Sequence, residues 1–534
     1  MPRSTSSENQ ASAERTLGVI SLTFIAAGGI LGSGWLFTPL LTAQLAGPAS
    51  LVAWVIGAVA MILLAISFAE ITAILPVSGG IARIPRFTHG DITSAVIGWT
   101  AWIGYATQAP IEVSVMLQYA AVEWPWLFEG AANLGSMTFK GYLVAAGFLA
   151  FFVFINALGA QVFAKTNNII TVLKFFIPTF IAIVFIVSYF EPHNFDNPQI
   201  GGFSPYGIHG VLTAVSTGGI IFSLIGFRHA IDMAGEAKNP KVTIPIALML
   251  GLIIPLGIYF LLQVSFIGVL TPDDLKNGWG NIHENNNFGP LAAVSAALGL
   301  HWLMAAIYGG VIVGPMGGAL VATGSSSRLV FALARNKFIP RLFEKLSNMS
   351  VPVNALVLNF FVGLILLYTL PFKEIIAVNS AAITLSFTAG PLGVYALRKQ
   401  LPDIDRGFKI PAMQTLTILA FIVATLIIYW SGWKTNLVLL SIIAFSIIFL
   451  LFKRVLLDKK KISSLDIREA LWIPPYIALF MTISYFGNFG GGNESIPFGI
   501  DILILSIGST GVFFIAAWCR LSNKKARILR ERHM

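Results

Sequence analysis

Apolar segments of bilayer-crossing length follow one another with short polar interruptions from residue 17 to residue 519. A helix needs about 20 apolar residues to cross the hydrocarbon core of a membrane. Candidate segments lie near 17–45, 49–75, 92–121, 141–161, 166–190, 208–236, 243–270, 290–334, 352–371, 375–397, 412–431, 434–452, 470–487 and 498–519. The stretch 290–334 is too long for one crossing and is read as a short outer helix followed by a span. The stretch from Thr271 to Phe288, rich in Asp, Asn and Gly, is read as an exposed loop. With 56 % of residues hydrophobic and 11 % charged, a chain of 534 residues has more apolar surface than a soluble fold can cover. The predicted fold is an all-α polytopic membrane protein of about 14 transmembrane helices. No cleavable signal peptide is expected, because the first residues are polar and no small-residue cleavage site follows a short apolar run. The single cysteine, Cys519, excludes an intrachain disulfide framework and a thiolate metal cluster.

A formal charge of +10 would suit a nucleic-acid binder, but the positions of the charges argue otherwise. With the N-terminus placed in the cytoplasm, 28 of the 34 basic residues fall in inner segments. Lys140, Lys276, Lys373 and Lys434 fall outside, and Lys174 and Arg228 lie within the membrane. This is the positive-inside bias of a multi-pass protein of the cell (inner or plasma) membrane with both termini cytoplasmic. The basic runs Asp458-Lys459-Lys460-Lys461 and Asn523 to Arg532 are expected to orient the chain and touch anionic lipid. No nucleic-acid partner is implied.

The first segment contains A-G-G-I-L-G-S-G-W-L-F over Ala27–Phe37, with Gly28, Gly29, Gly32 and Gly34 at its centre. Glycine disfavours helix by roughly 1 kcal/mol relative to alanine and lets backbone approach a ligand closely. Unwound backbone at membrane depth is tolerated only where it is buried in protein or lines a wet cavity. A helix broken here turns free N–H groups and a positive dipole end towards the membrane midplane, which suits an anion. Gly32, Ser33 and Gly34 are thus candidates for docking a substrate carboxylate. The other reading is that the glycines serve only close helix packing.

The sixth segment offers a second interruption. Ile220 to Asp232 reads I-I-F-S-L-I-G-F-R-H-A-I-D, preceded by Gly218 and Gly219 and closed by Ala234 to Pro240. Arg228 beside a glycine at mid-depth is out of place on a lipid-facing helix. Segments one and six are five spans apart, the offset expected of two inverted five-helix repeats with a site between them. The expected organisation is a cytoplasmic tail (1–16), a ten-helix inverted-repeat transport core (17–400) and helices eleven and twelve (401–455). Two extra helices (456–519) and a basic cytoplasmic tail (520–534) follow. The extra pair is expected to be peripheral packing or a contact between copies in a homo-oligomer.

Several motifs resemble those of the amino acid–polyamine–organocation permeases. They are Gly29 to Gly34, Glu70 with Pro76-Val77-Ser78-Gly79-Gly80, Asn167 to Lys174, Gly226-Phe227 with Lys238-Asn239-Pro240, Arg328 to Pro340, and Pro402 to Pro411. The likeness covers about the first 410 residues. Most of that family have twelve spans, and the fourteen-span form looks most like bacterial proton symporters of an acidic amino acid. The resemblance implies an alternating-access carrier with the five-plus-five inverted-repeat fold, helices one and six being broken. It implies that Gly32, Ser33 and Gly34 hold the substrate carboxylate. It also implies that carbonyls near Ala27, Gly28, Ile30, Phe222 and Ile225, beside Gly226, meet the ammonium, and that Phe222 closes over the substrate. In proton-coupled members a lysine at the place of Lys174 stands where sodium-coupled relatives hold their ion. The coupling ion expected is a proton, with no other cofactor.

The intramembrane charges carry open alternatives. Lys174 is expected to exchange a proton during transport, or else to be a static ammonium bridging helices to carbonyls or to Ser325 and Ser326. Arg228 departs from the family, where this position is commonly acidic or small. A guanidinium there suits a substrate with a second carboxylate, such as aspartate or glutamate. The alternative is an internal ion pair with Asp232, four residues on, or with Glu112. Glu112, beside Pro110, is read first as a partner of Arg228 and second as a proton carrier. His229 is a secondary titratable candidate. Glu70 and Glu236 are read as organisers of gates or loops, and Trp99, Trp102 and Tyr105 as packing or belt aromatics with no site role. No metal-ligand spacing, nucleophile elbow or phosphate loop points to an enzyme. The expectation is a secondary active transporter of a small amino acid, proton-coupled and selective for an acidic one. The alternatives are a permease or exchanger for neutral amino acids or other amines, and, further off, a channel or transporter-derived sensor.

Overall fold

The computed structural model describes residues 17–77, 79–129, 136–158, 160–282, 289–349, 351–454 and 466–533. The N-terminal tail and the Asp458–Lys461 cluster named above lie outside the described residues. Among the described residues the fold is helical, with two isolated bridges, Leu17 to Ala237 and Phe128 to Met137, and no longer strand.

The first apolar segment is two helices, α1 (Val19–Ile30) and α2 (Gly34–Ala46). The helix stops because Leu31 turns to ψ 63, although its N–H still bonds Ala27 O at 2.9 Å. The turn Gly47–Ala49 leads into α3 (Ser50–Ile74). Next comes α4 (Gly80–Ala120), kinked at Gly90, where φ is +80. Then follow α5 (Phe139–Ala157), whose first turn is capped by Thr138, and α6 (Ala160–Ser188).

The sixth segment is α7 (Gly207–Ser216), α8 (Ile220–Leu224), a 3-10 turn over Ile225–Phe227, and α9 (Arg228–Asp232). The axis bends by 43° between Ser216 and Ile220. Gly219 takes φ +94 there, a left-handed conformation suited to glycine. The axis therefore bends before Phe222, and the α-helix is interrupted a second time after it, by the 3-10 turn. At Gly226 the helix tightens.

Beyond it run α10 (Pro240–Val269), α11 (Pro272–Leu275), α12 (Pro290–Ala297) and α13 (His301–Arg335), then α14 (Val353–Thr369), α15 (Phe372–Phe387) and α16 (Ala389–Gln400). The chain closes with α17 (Met413–Trp430), α18 (Trp433–Phe452), α19 (Ile473–Phe486), α20 (Ile500–Trp518) and α21 (Asn523–His533). As expected, 290–334 divides into a short helix and a span. The 271–288 segment is less open than expected: Leu275, Trp279 and Ile282 are buried, and Gln44 Nε2 donates to Ile282 O at 3.1 Å.

Nine helical stretches among the described residues are long and apolar enough to cross a membrane, and the bent pair in the sixth segment makes ten. α1 and α14 are apolar but shorter. The core sits where α4 packs between α13 and α15, with α1 against α10 and α3 against α10 and α16. The C-terminal α20 lies against α17, and α18 against α4.

A buried polar site where two interrupted spans meet

The two interrupted spans touch backbone to backbone. A Cβ on Gly226 would strike the main chain of Gly29 and Ile30. Close packing is therefore the role of Gly29 and Gly226, and it coexists with an unwound turn a few residues later. Gly28 is buried with them.

That turn offers its amides to a carboxylate, and in this structure the carboxylate is the protein's own. Ser33 N donates to Glu112 Oε2 at 2.7 Å. Glu112 is fully buried on α4, and its Oε1 has no hydrogen-bond partner, although Gln108 and the Ser33 side chain lie nearby. The expected pairing of Glu112 with Arg228 is not what forms. Three carbonyls at the end of α1 are already engaged. Ala27 O accepts from Leu31 N, and Gly28 O accepts from Lys174 Nζ at 2.8 Å. Ile30 O accepts from Tyr259 Oη at 2.8 Å and from Gly32 N at 2.9 Å.

Lys174 is buried, so of the expected static partners it takes a carbonyl; Ser325 instead faces His229 Nδ1 at 2.9 Å, and Ser326 Oγ has no partner. Two successive glycines on α13 make room for the two charges. A Cβ on Gly317 would lie 2.6 Å from Lys174 Nζ, and one on Gly318 would lie 2.8 Å from Glu112 Cδ. Lys174 and Glu112 thus flank the break in helix one, one on its carbonyl side and one on its amide side. Phe222 is buried against Phe37, ring centres 5.8 Å apart, and Ser223 Oγ meets Thr38 Oγ1 at 3.0 Å. Gly34, at the start of α2, has no room for a Cβ beside Ser223 and Tyr259. Ile225 is buried in the 3-10 turn.

Arg228 is fully buried, yet among the described residues it forms no ion pair with Asp232 or Glu112. This corrects the internal-pair alternative. Its Nη2 donates to Gln108 Oε1, its guanidinium carbon lies 4.1 Å from the centre of the Tyr105 ring, and its Nε and Nη1 have no partner. Asp232 takes the Tyr105 hydroxyl on Oδ2 and has no partner on Oδ1, although the Ile81 backbone lies nearby. His229 packs edge-on to Tyr105, and its Nε2 is unpartnered.

Tyr105 and Gln108 join Glu112 here, and reading the sequence assigned neither of them a place in the site. The three sit at i, i+3 and i+7 on α4, one helical face. Polar side chains at that spacing in an otherwise apolar span are the signal that would have found the set. Glu70 behaves as an organiser: it receives Arg398 at 2.8 and 2.7 Å and Ile410 N at 2.8 Å, fastening α3 to the end of α16 and the loop beyond. Trp99 and Trp102 pack on each other, and Trp102 Nε1 donates to Asn359 Oδ1 at 2.7 Å.

Apolar helices that expose large side chains outward while gathering unsatisfied charges inward, at two interrupted spans, define a multi-pass membrane protein with an internal polar site. The chain belongs to the amino acid permease family, whose profile matches residues 17–453. It is 33 % identical over 527 residues to the glutamate/serine transporter AimA of Bacillus subtilis, covering 97 % of this chain and 95 % of that one. It is 33 % identical over 517 residues to the aspartate-proton symporter of the same organism, covering 96 % and 98 %. The branched-chain amino acid permease BcaP, also of Bacillus subtilis, is 26 % identical over 440 residues, 79 % of this chain and 90 % of that one. A family of permeases points to a carrier of small molecules across a membrane, and away from an enzyme.

Proposed function

We propose that this protein is a secondary active transporter that carries an acidic amino acid, aspartate or glutamate, inward with a proton by alternating access. The observation that carries the reading is Arg228: a buried guanidinium with Nε and Nη1 unpartnered, held by Gln108 one turn of α4 from the Glu112 that sits on the helix-one break. A buried, unpaired cation is costly, by several kcal/mol. A substrate's second carboxylate would compensate it through a charge-assisted contact. The names of two relatives, the aspartate-proton symporter and the glutamate/serine transporter, agree with an acidic substrate. The serine in the second name favours, as a second reading, a site that also admits small neutral amino acids.

In this reading the α-carboxylate docks on the amides of Gly32, Ser33 and Gly34, where Glu112 now sits. The ammonium meets carbonyls of Ala27, Gly28, Ile30, Phe222 and Ile225, with Phe222 beside it and Gly226 keeping the spans in contact. Glu112 and the substrate compete for one N–H donor. A proton taken up by Glu112 weakens its grip on Ser33 and clears the amides. Lys174, on the carbonyl side of the same break, is the group we assign to proton exchange. The fold we propose has fourteen spans, with a five-plus-five inverted-repeat core over 17–400, four further helices and both ends in the cytoplasm. The Gly34–Ile74 stretch counts there as two spans, since 41 residues of helix would reach about 60 Å, twice the hydrocarbon thickness.

The test is counterflow in proteoliposomes with the twenty amino acids as competitors, with and without an inward proton gradient. Aspartate and glutamate are expected to compete best, and the gradient to drive accumulation. Equal competition by alanine and aspartate would reject the acidic-substrate reading.

A further inference from the structure

Arg228 and Asp232 stand four residues apart on α9, the spacing at which an arginine and an aspartate on one helical face normally pair. Both are buried, and each has an unpartnered polar atom: Nε and Nη1 on the arginine, Oδ1 on the aspartate. They nevertheless do not pair, and Tyr105 of α4 engages both. Its hydroxyl donates to Asp232 Oδ2, and its ring face lies under the guanidinium, 4.1 Å from the carbon. Gln108, one turn along α4, takes Nη2 from the other side. Arg328 of α13 is the further charge near Asp232, and His229 packs on the edge of the same ring.

We infer that Tyr105 is a positioning residue for substrate selectivity: by occupying Asp232 and carrying Arg228 on its ring, it keeps the arginine from being neutralised within its own helix and leaves two N–H groups for the substrate's side-chain carboxylate. The inference rests on the acidic-substrate reading above. Electrostatics supply the reason for such a device. Left to themselves, a buried cation and anion one turn apart attract strongly. A pair so formed would have no N–H left over for a ligand. A tyrosine satisfies the aspartate with a neutral donor and supports the arginine with a polarised ring face, and Nε and Nη1 are left without a hydrogen-bond acceptor. Tyr105 also lines a small pocket among α4, α5, α13 and α14, and Tyr105→Phe removes one oxygen and adds no bulk there.

The experiment compares the full-length wild type with Tyr105→Phe, Asp232→Asn, the double variant and Arg228→Ala in proteoliposomes, reading KM and maximal rate for aspartate and competition by alanine. Tyr105→Phe frees Asp232 to capture the arginine and is expected to raise the KM for aspartate about tenfold, the worth of one charge-assisted hydrogen bond, with the maximal rate within about twofold. The double variant, in which residue 232 can no longer pair as an anion, is expected to return the KM to within about threefold of the wild type. A purely structural role for the tyrosine would not be rescued in this way. Asp232→Asn alone is expected to hold or lower the KM, and a tenfold rise would overturn the inference even if Tyr105→Phe failed to fold. An unchanged KM in Tyr105→Phe, or a double variant as weak as the single, would also overturn it. If Arg228→Ala itself kept the preference for aspartate over alanine, the acidic-substrate reading would fall first.

Discussion

Four carboxylates are buried among the described residues, and they divide into two kinds. Glu70 and Asp501 are saturated. Glu70 holds the Arg398 fork and the Ile410 amide. Asp501, at the start of α20, accepts from Tyr429 on one oxygen and from the Gly499 and Ile502 amides at 2.8 and 2.7 Å on the other. Glu112, on the amide at the first span's break, and Asp232, at the end of α9, each keep one oxygen without a partner. A buried polar group with every bond made fixes a fold; one left short marks a place where something else is meant to bind or a proton to land. The saturated pair fastens helix ends, and the unsaturated pair lies on or against the two interrupted spans.

The first way to break this contrast is at Lys174. Lys174→Ala is expected to abolish acidification-driven accumulation while counterflow exchange persists, and full retention of proton-driven uptake would remove Lys174 from the coupling machinery. Next in size is Arg228→Ala, for which the ratio of aspartate to alanine competition should fall about ten- to a hundredfold, the range for hydrogen bonds to a charged group. On the saturated side, Asp501→Ala strands two backbone N–H groups and a tyrosine hydroxyl, and is expected to cost about 2–4 kcal/mol of stability. That loss would be read as a lower unfolding temperature in detergent, with the KM for aspartate unchanged. A shifted KM there would dissolve the distinction drawn above. The smallest effect belongs to the exposed Lys241–Asp405 pair, 2.5 Å long. Lys241→Ala should leave the unfolding temperature unaltered, since solvent screens such pairs. The Lys241 ammonium holds the Asp405 carboxyl below its usual range. What little the pair contributes is therefore present above the ordinary carboxylate pKa and lost as the pH falls through the lowered value.

The broken first span could be read from the sequence because four glycines in seven residues are a local, backbone-level signal. The sixth span has its bend ahead of the 3-10 turn at Ile225–Phe227. Gly218 and Gly219 carry it, whereas the eye goes to Gly226, whose lack of a side chain serves the contact with Gly29 instead. The partners of Arg228 could not be read this way. Its sequence neighbour Asp232 offers the obvious pair, and only the tertiary packing of α4 puts Tyr105 and Gln108 in between. Glu112 on Ser33 N is likewise a contact across 79 residues of chain. Trp279, in a segment polar enough to suggest an open loop, is buried because α2 packs against the turn that carries it. Helical periodicity was informative throughout; which polar faces meet was not.

The neighbouring glycines Gly317 and Gly318 have a mechanical consequence. One turn of α13 is in contact with both the ammonium on one flank of the first span's interruption and the carboxylate on the other. A shift of that turn by an ångström along its axis would disturb both charges at once. On the roles proposed above, cargo seat and ion seat would then be geared through a single rigid tooth, and slippage between them, the wasteful leak of one without the other, would require that tooth to deform.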